Sequence, residues 1–289
     1  MARSGHEDPA HVTLEDIRRL CEFLYRRTGM LFAEDKRYFI DRRLAERIAA
    51  TGAASFQSYF TLLRADADRA VEHLINAFTV NETYFFREEH QLRCMTSDLL
   101  RAIVASKRPD EPIRIWSVPC ATGEEPYSIG IWLMEHFPGV DDYQIEIVGS
   151  DIDTRVLQSA SDGIYGRRAL MKLPRDIVAR YFETRADGTY RIDAGLRDSI
   201  QFTDVNLVDT RDMARYRNFD IIFCRNVLIY FDDASRRLAA ENLYDCLRPG
   251  GFICLGHSET MSRISTLFSV CRYPDAIVYQ RPEAERDHD

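Results

Sequence analysis

The sequence predicts an α/β protein: a doubly wound, mostly parallel sheet, preceded by a small helical domain and interrupted by a small β insertion. Three observations predict it. Over roughly the first 80 positions apolar residues recur at helical spacing with almost no strand signal. After the segment KRPDEP, short strand-like runs alternate with helical stretches, the pattern of a parallel sheet covered by helices. Between Gly163 and Phe202 that alternation stops and a hairpin signal takes its place.

The helical domain is expected over 11–87. Thr13 is placed to cap a helix from Leu14 to about Thr28, with Ile17, Leu20 and Leu24 on one face and Gly29 as its stop. A second helix is expected from about Glu34 to Ala50, apolar at Ile40, Leu44 and Ile48 and ending near Gly52. Ser55 introduces a short third helix holding Phe56, Tyr59, Phe60 and Leu63, and a fourth carries Val71, Leu74, Ile75 and Phe78. A helix from Glu88 to about Ser106 forms a linker, 88–109.

The sheet domain is expected over 110–282. Its strands are IRIWSV (113–118), IEIVGSD (145–151), DIIFCRN (220–226) and GFICLG (251–256). Helices follow from about Glu125 to Phe137, from Asp153, and from about Asp232 to Leu247, where RPGG ends the last. LFSVCRY and AIVYQ, separated by Pro-Asp, suggest an antiparallel pair. The insertion, about 163–202, contains Asp187-Gly188 flanked by Thr184 and Tyr190, a hairpin turn. Residues 283–289 read as a disordered, charged tail.

Composition narrows the function. The seven cysteines are scattered, odd in number and form no C-x-x-C pair, which favours a reducing cytoplasm and buried thiols over disulfides or zinc. A net charge of −8 argues against a general nucleic-acid binder. The polar first ten residues lack a signal-peptide core, and no run approaches the ~18 apolar residues of a membrane span. A cytoplasmic monomer without membrane insertion is expected.

Ligands of open α/β sheets sit beyond the carboxyl ends of the strands. The loop after the first strand reads PCATGEEPYS and lacks the G-x-G-x-x-G dinucleotide pattern. Glu124 and Glu125 at the helix start would repel a pyrophosphate. They suit the helix dipole as simple caps, and equally a cation. S-adenosylmethionine has no phosphate and carries a sulfonium and an ammonium. After the second strand, in SDIDT, Asp151 is placed to accept two hydrogen bonds from ribose hydroxyls, and Asp153 to cap the next helix. A solvated turn residue is the alternative for Asp151.

Four blocks, TVNETYFFRE (79–88), WSVPCATGEEPYSIG (116–130), GSDIDT (149–154) and IFCRNVLIYF (222–231), give the chain its resemblance to the CheR family of chemoreceptor glutamate O-methyltransferases. The resemblance spans about residues 14–280. It departs from the family at Val118-Pro119-Cys120-Ala121, where small residues are usual. It implies a Rossmann-like class I methyltransferase domain with an N-terminal helical domain and an inserted β-subdomain. S-adenosylmethionine is the implied methyl donor and S-adenosylhomocysteine the product, with no metal. The implied partner is the cytoplasmic helical bundle of methyl-accepting chemoreceptors. By motif, Asn81, Thr83 and Arg87 would lie at the cofactor and reacting centre, Glu125 at the methionine portion, and Asp151 at the ribose. Asn206 and Leu207 would flank the adenine, Arg225 and Asn226 would line the pocket, and Tyr230 would reach the methyl-transfer site.

The chemistry of such a reaction asks little of a base, because a glutamate with a pKa of ~4.3 is already ionised at neutral pH. A dry pocket and alignment remain. Tyr84, Phe85, Phe86 and Phe231 can supply walls, or plain core. Arg87 can position a carboxylate, or pair with Glu88 or Glu89. Tyr230 can donate a hydrogen bond there, or serve a structural partner. Lys36, Arg43 and Arg47 share a helical face that could dock a Glu-rich bundle; alternatively the basic residues of that helix pair with Glu34, Asp35, Asp41 and Glu46. The short turn ETRADGTYR has one glycine, where relatives that dock on a receptor's C-terminal peptide have a longer, Gly-rich turn, so action independent of such a peptide is expected. The alternative activity is methylation of a small-molecule carboxylate or another protein.

Overall fold

A computed structural model describes residues 12–32, 36–65, 67–108 and 110–283. The expected charged tail beyond Glu283, the first ten residues, and Glu34 and Asp35 lie outside the described residues. The chain forms two compact units. One runs up to Val80 and takes in Tyr230–Asp232; the other comprises Asn81–Ile229 and the chain from Asp233 onward. Asn81–Arg87, expected with the helical domain, therefore belong to the sheet unit.

The helical unit holds α1 (Leu14–Thr28), α2 (Arg37–Thr51), α3 (Phe56–Ala65) and α4 (Ala67–Phe78). Thr13 and Asp16 form a reciprocal capping box at the start of α1, satisfying two otherwise orphaned N–H groups. Gly29 ends the helix in the left-handed region, at φ 69°. Leu20, Leu24, Leu44, Tyr59, Leu63 and Leu74 are fully buried between the helices. Full burial of each such aliphatic side chain stabilises by about 1.5–3 kcal/mol. Tyr230–Asp232 join this unit through hydrogen bonds: Leu31 N–H donates to the Tyr230 carbonyl at 2.8 Å, and the Tyr25 hydroxyl to Asp232 at 2.8 Å.

The sheet unit begins with a helical run, α5 (Glu89–Cys94), one π-helical turn (Met95–Leu99) and α6 (Leu100–Ser106). Then follow β1 (Ile113–Ser117), α7 (Glu124–His136), β2 (Ile145–Asp151), α8 (Thr154–Asp162), β3 (Ile164–Tyr165), α9 (Arg175–Tyr181), β4 (Phe182–Thr184), β5 (Tyr190–Ile192), α10 (Ala194–Ser199) and β6 (Ile200–Asp204). The chain continues through α11 (Thr210–Met213), β7 (Phe219–Cys224), α12 (Asp233–Cys246), β8 (Leu247–Leu255), β9 (Ser269–Arg272) and β10 (Ile277–Gln280). Seven strands pair in the order β6-β2-β1-β7-β8-β10-β9. β10 is antiparallel to both its neighbours, and the other pairs are parallel.

From β1 the chain winds outward to β2 and β6, then returns to β7 on the other side of β1. That reversal is the topological switch point at which open α/β sheets bind ligands. The register sets Ser117 of β1 beside Gly149 of β2 and Phe223 of β7, so β1 and β7 end within one residue of each other and β2 runs two residues further, to Asp151. β1 and β7 are buried on both faces, as central parallel strands must be.

Two details differ from the sequence reading. Ile200–Asp204 is a sheet strand pairing Ile147–Asp151 residue by residue, so the main sheet resumes inside the stretch assigned to the insertion. At the sheet's edge it needs only Ile200 buried, which leaves a weak strand signal. Helix α12 ends at Cys246, as expected just before RPGG, but the strand expected from Gly251 already starts at Leu247, so RPGG lies inside β8. The remainder of the insertion carries a three-stranded sheet, β3-β5-β4, in which Thr184 pairs with Tyr190 across a turn where Gly188 takes φ 79°.

At the amino ends of the strands a fully buried Asp220 accepts from Lys107 Nζ at 2.6 Å, from Arg114 N–H at 2.7 Å and from Arg248. No described helix is long and apolar enough to cross a membrane. All seven cysteines are free thiols, five of them buried.

Candidate functional site

Ser117, the last residue of β1, donates its hydroxyl to Glu125 Oε1 at 2.7 Å. The other oxygen, Oε2, accepts from both Nε and Nη2 of Arg225, which follows β7 immediately. Both partners are nearly inaccessible, Arg225 at 6% and Glu125 at 9% exposure. A buried ion pair holds only when its remaining donors are also satisfied. Arg225 Nη1 meets that demand by donating to the Arg87 carbonyl at 2.8 Å and lying 3.5 Å from Glu88. Burial works against the Arg225 charge, but Glu125 and Glu88 outweigh it, so its pKa rises further. Glu88 in turn accepts from Gln91 Nε2 at 3.0 Å, and Gln91 also donates to the Leu255 carbonyl at 2.7 Å. One network thus ties together β1, β7, β8 and the segment 81–88.

That segment has an unusual backbone. Phe86 and Glu88, on either side of Arg87, both take left-handed conformations, φ 58° and 57°. Such conformations cost non-glycine residues on the order of 1–3 kcal/mol each, and they persist when the surroundings over-determine them. The Phe86 N–H donates to Ser128 Oγ at 3.0 Å, and its ring packs edge-on against Trp132. Phe85 is fully buried against Tyr165 and Phe182. Phe85 and Phe86 are therefore core residues that fix the loop. The Arg87 guanidinium donates to the Glu82 carbonyl at 2.7 Å and lies over the Tyr84 ring. It pairs with neither Glu88 nor Glu89: the first serves Arg225 and the second Arg93. Thr83 sits half-buried in the same segment. Asn81 Nδ2 donates to Asp153 Oδ2 at 3.0 Å.

Asp151 closes β2. Its Oδ2 accepts the Ala121 N–H and its Oδ1 the Asp153 N–H, each at 2.9 Å. Burial raises its pKa to about 6 against the pull of these backbone donors. The carboxylate keeps acceptor capacity beyond these backbone bonds, which hydroxyl groups can use. Asp153 caps α8, accepting the Arg155 N–H. In the β1 loop Glu124 accepts from Thr122 Oγ1 at 2.6 Å, and burial raises its pKa too. Tyr165 anchors that loop by donating to the Thr122 carbonyl at 2.9 Å.

Asn226 takes φ 61°. It is held there by Glu259, a residue that sequence reasoning missed. One oxygen of Glu259 accepts Asn226 N–H at 2.7 Å and Gly256 N–H at 2.9 Å; the other accepts Leu228 N–H at 2.8 Å. A Cβ at Gly256 would come within 2.9 Å of Glu259 Oε2 and 3.1 Å of the Asn226 backbone nitrogen, so a side chain there would disturb the Glu259 tether where the loops after β7 and β8 meet. The available signal was an acid just past the carboxyl end of a strand, in GHSE, but which amides it serves is decided only by the fold.

The structure thus gathers Asn81, Arg87, Glu125, Asp151, Arg225 and Asn226 around the carboxyl ends of β1, β2 and β7. Asn206 and Leu207 follow β6, and Val205 N–H joins that strand's end to the Asp151 carbonyl at 3.1 Å. Asn206 forms a local turn, accepting Val208 N–H at 3.2 Å, while the Leu207 carbonyl accepts Asn242 Nδ2 at 2.8 Å. Tyr230 belongs to the helical unit. So do Lys36, Arg43 and Arg47. Of these, Lys36 is exposed, whereas Arg43 is half-buried, donating to the Ala77 carbonyl and lying 4.2 Å from the Phe39 ring centre. Arg47 is half-buried beside Tyr59. The exposed cations here are Lys36, just before α2, and Arg37 and Arg42 within it; Arg37 pairs with Asp41 at 3.3 Å and Arg42 with Glu46 at 3.9 Å.

The donor set discriminates between ligands. Around the first loop stand Glu124, Glu125, Asp151 and Asp153, and the one deeply buried cation among them, Arg225, is committed to Glu125 and Glu88. A pyrophosphate would meet repulsion. A ligand with cationic centres and a free ribose fits, and S-adenosylmethionine is such a ligand. No group of acids, histidines or cysteines suited to a metal occurs among the described residues.

Comparison with known proteins agrees with this geometry. Residues 81–277 match the profile described as CheR methyltransferase, SAM binding domain, and residues 15–79 match CheR methyltransferase, all-alpha domain. The chain is 48% identical over 272 residues to chemotaxis protein methyltransferase 2 of Vibrio cholerae, covering 94% of each chain. It is 39% identical to chemotaxis protein methyltransferase 2 of Pseudomonas aeruginosa, covering 89% of this chain and 90% of that one. It is 35% identical to the chemotaxis protein methyltransferase of Salmonella typhimurium, covering 88% and 86%. With both profiles matched and these relatives covered nearly end to end, the chain belongs to the CheR methyltransferase family and is an S-adenosylmethionine-dependent methyltransferase.

Proposed function

We propose that the protein transfers the methyl group of S-adenosylmethionine to glutamate side chains on the cytoplasmic helical bundle of methyl-accepting chemoreceptors. The carrying observation is the all-acidic donor set at the switch point, locked by Arg225 and presented beside Arg87. When bound, S-adenosylmethionine supplies an electrophilic methyl on a cationic sulfur that departs as a neutral thioether. Asp151 would hold the ribose, accepting hydrogen bonds from its hydroxyls. Glu125, locked by Arg225, would contact the methionine portion. Asn81 and Asn226 frame the donor from the segment before α5 and the turn after β7, with Thr83 and the Asn206-Leu207 turn completing the pocket. No residue removes a proton, because the acceptor glutamate arrives ionised. Arg87, whose guanidinium spends one bond on Glu82 and keeps further donors, orients that carboxylate. Tyr230, a residue of the helical unit, is assigned to methyl transfer by its motif alone.

Transfer is independent of a receptor C-terminal peptide in this reading, on account of the short Asp187-Gly188 turn. The protein acts as a cytoplasmic monomer without a metal. Incubation with labelled donor and a receptor cytoplasmic fragment tests the proposal: alkali should release the label as methanol, the signature of a carboxyl methyl ester. Label that resists alkali, or that enters only small carboxylic acids, would overturn it.

A further inference from the structure

Within the sheet unit a cavity of about 400 Å³ opens beside the turn that follows Asn226. Its lining includes Leu228, Ile229 and Ile264, and three arginines, Arg236, Arg237 and Arg263. Two acids, Asp233 and Glu259, also line it. We infer that this groove seats the acidic helical segment of the acceptor protein that flanks the methylated glutamate, an inference that rests on the glutamate-methylation reading above.

The charge balance decides it. Both oxygens of Glu259 are taken by the amides of Asn226, Leu228 and Gly256. Asp233 lies 3.4 Å from Arg236, which also donates to the Leu228 carbonyl at 2.8 Å. The two acids and one arginine are thus engaged in building the groove. Arg237 and Arg263 are exposed and make no ion pair among the described residues. They form a cationic rim that no carboxylate among the described residues pairs, and with three arginines against two acids the lining carries a net +1 on a chain whose net charge is −8. Ile229, 47% exposed, is an apolar surface between that rim and the turn. The exposed Ile229 and half-buried Ile264, flanked by cations, complement an amphipathic helix that carries carboxylates beside its apolar residues.

Position supports the same partner. Leu228 and Ile229 follow Asn226 by two and three residues, and Glu259 fixes both the Asn226 amide at the donor site and the Leu228 amide in the groove. The floor of the groove is therefore fixed by the same carboxylate that fixes the turn at Asn226, which couples the groove to the donor site. The floor is pre-ordered, and the rim charges are the part that selects the partner.

Methyl transfer from S-adenosylmethionine to a receptor cytoplasmic fragment, with salt varied, tests the inference. The Arg237→Glu/Arg263→Glu variant should raise the KM for the fragment at least tenfold at low salt and flatten its salt dependence. Its donor affinity by calorimetry and its melting temperature should stay at the parent values. The Arg237→Lys/Arg263→Lys variant should restore most of the loss. An unchanged KM in the charge-reversed variant, with the parent active, overturns the groove alone. A parent that methylates no fragment overturns the glutamate reading, and the groove with it.

Discussion

Arg225 donates from two guanidinium nitrogens to a single oxygen of Glu125, one hundred residues earlier in the chain. The pair fastens the loop after β7 to the start of α7 across the switch point. Arg225→Met should leave Glu125 buried with Ser117 alone and destabilise the sheet unit by about 3–5 kcal/mol. Replacing both members by apolar residues should recover most of that stability, because a buried pair is often neutral against a packed apolar one. Donor binding should not recover. Thermal melts and calorimetric titration of the single and double variants would separate the two roles.

Asp151 should make both stability and donor binding depend on pH. Its folded pKa of about 6 lies above the ~3.9 of an unfolded aspartate. Its contribution to stability is therefore fully present below pH ~4 and is lost as pH rises through about 6, an effect on the order of 3 kcal/mol. Donor binding should run the other way and weaken as pH falls below about 6, because the protonated acid can no longer accept from both hydroxyls. Asp151→Asn should remove the corresponding slope from the melting temperature and weaken donor binding at every pH. An Asn variant that binds donor like the parent at pH 7 would count against Asp151 as the ribose ligand.

Glu259→Ala would orphan three backbone amides, Asn226, Leu228 and Gly256. A buried unsatisfied donor costs about 1–3 kcal/mol, and water admitted to the loop would relieve part of that. The expected outcome is a lower melting temperature together with a donor Kd raised at least tenfold, since the left-handed Asn226 loses its tether. Glu259→Gln keeps one acceptor oxygen and should fall between the two. Stability loss with unchanged donor affinity would confine Glu259 to the scaffold.

Arg87→Ala should cut the methylation rate by two or more orders of magnitude while donor affinity changes by only a few-fold. The contrast follows from its side chain being tied to the Glu82 carbonyl, whereas the Arg87 carbonyl, which any residue supplies, serves Arg225. Equal losses in both measurements would move Arg87 into the donor pocket.

The short turn between β4 and β5 leads to one more expectation. Calorimetry with a peptide copying a chemoreceptor's C-terminus should give no heat of binding, and deleting that tail from a receptor should leave the methylation rate unchanged. Saturable peptide binding would contradict it.

Much of this was legible in the sequence where the signal is local. Thr13 and Asp16 stand at capping-box spacing, and Asp187-Gly188 sits where a tight hairpin needs it. TGEEP lies between a strand and a helix, and its acids announce a site that no phosphate would choose. What could not be read was tertiary. Ile200–Asp204 is a strand because β2 needs an edge partner, and its own residues barely alternate. Arg43 and Arg47 share a helical face as spacing demands, yet that face turns toward Ala77 and Tyr59 and away from solvent. Glu125 and Arg225 were each visible as site residues; their mutual commitment was not, because one hundred residues separate them. Glu259 showed in sequence only as an acid just past the end of a strand, and gained its role when two loops met.

Peptide mass spectrometry of a chemoreceptor cytoplasmic fragment, after incubation with the protein and S-adenosylmethionine, tests the assignment most directly. Alkali-labile methyl additions should map to glutamates on the surface of the helical bundle, and should vanish with Arg87→Ala. Methylation of other residue types, or an unmodified fragment in the presence of enzyme that demonstrably binds the donor, would contradict it.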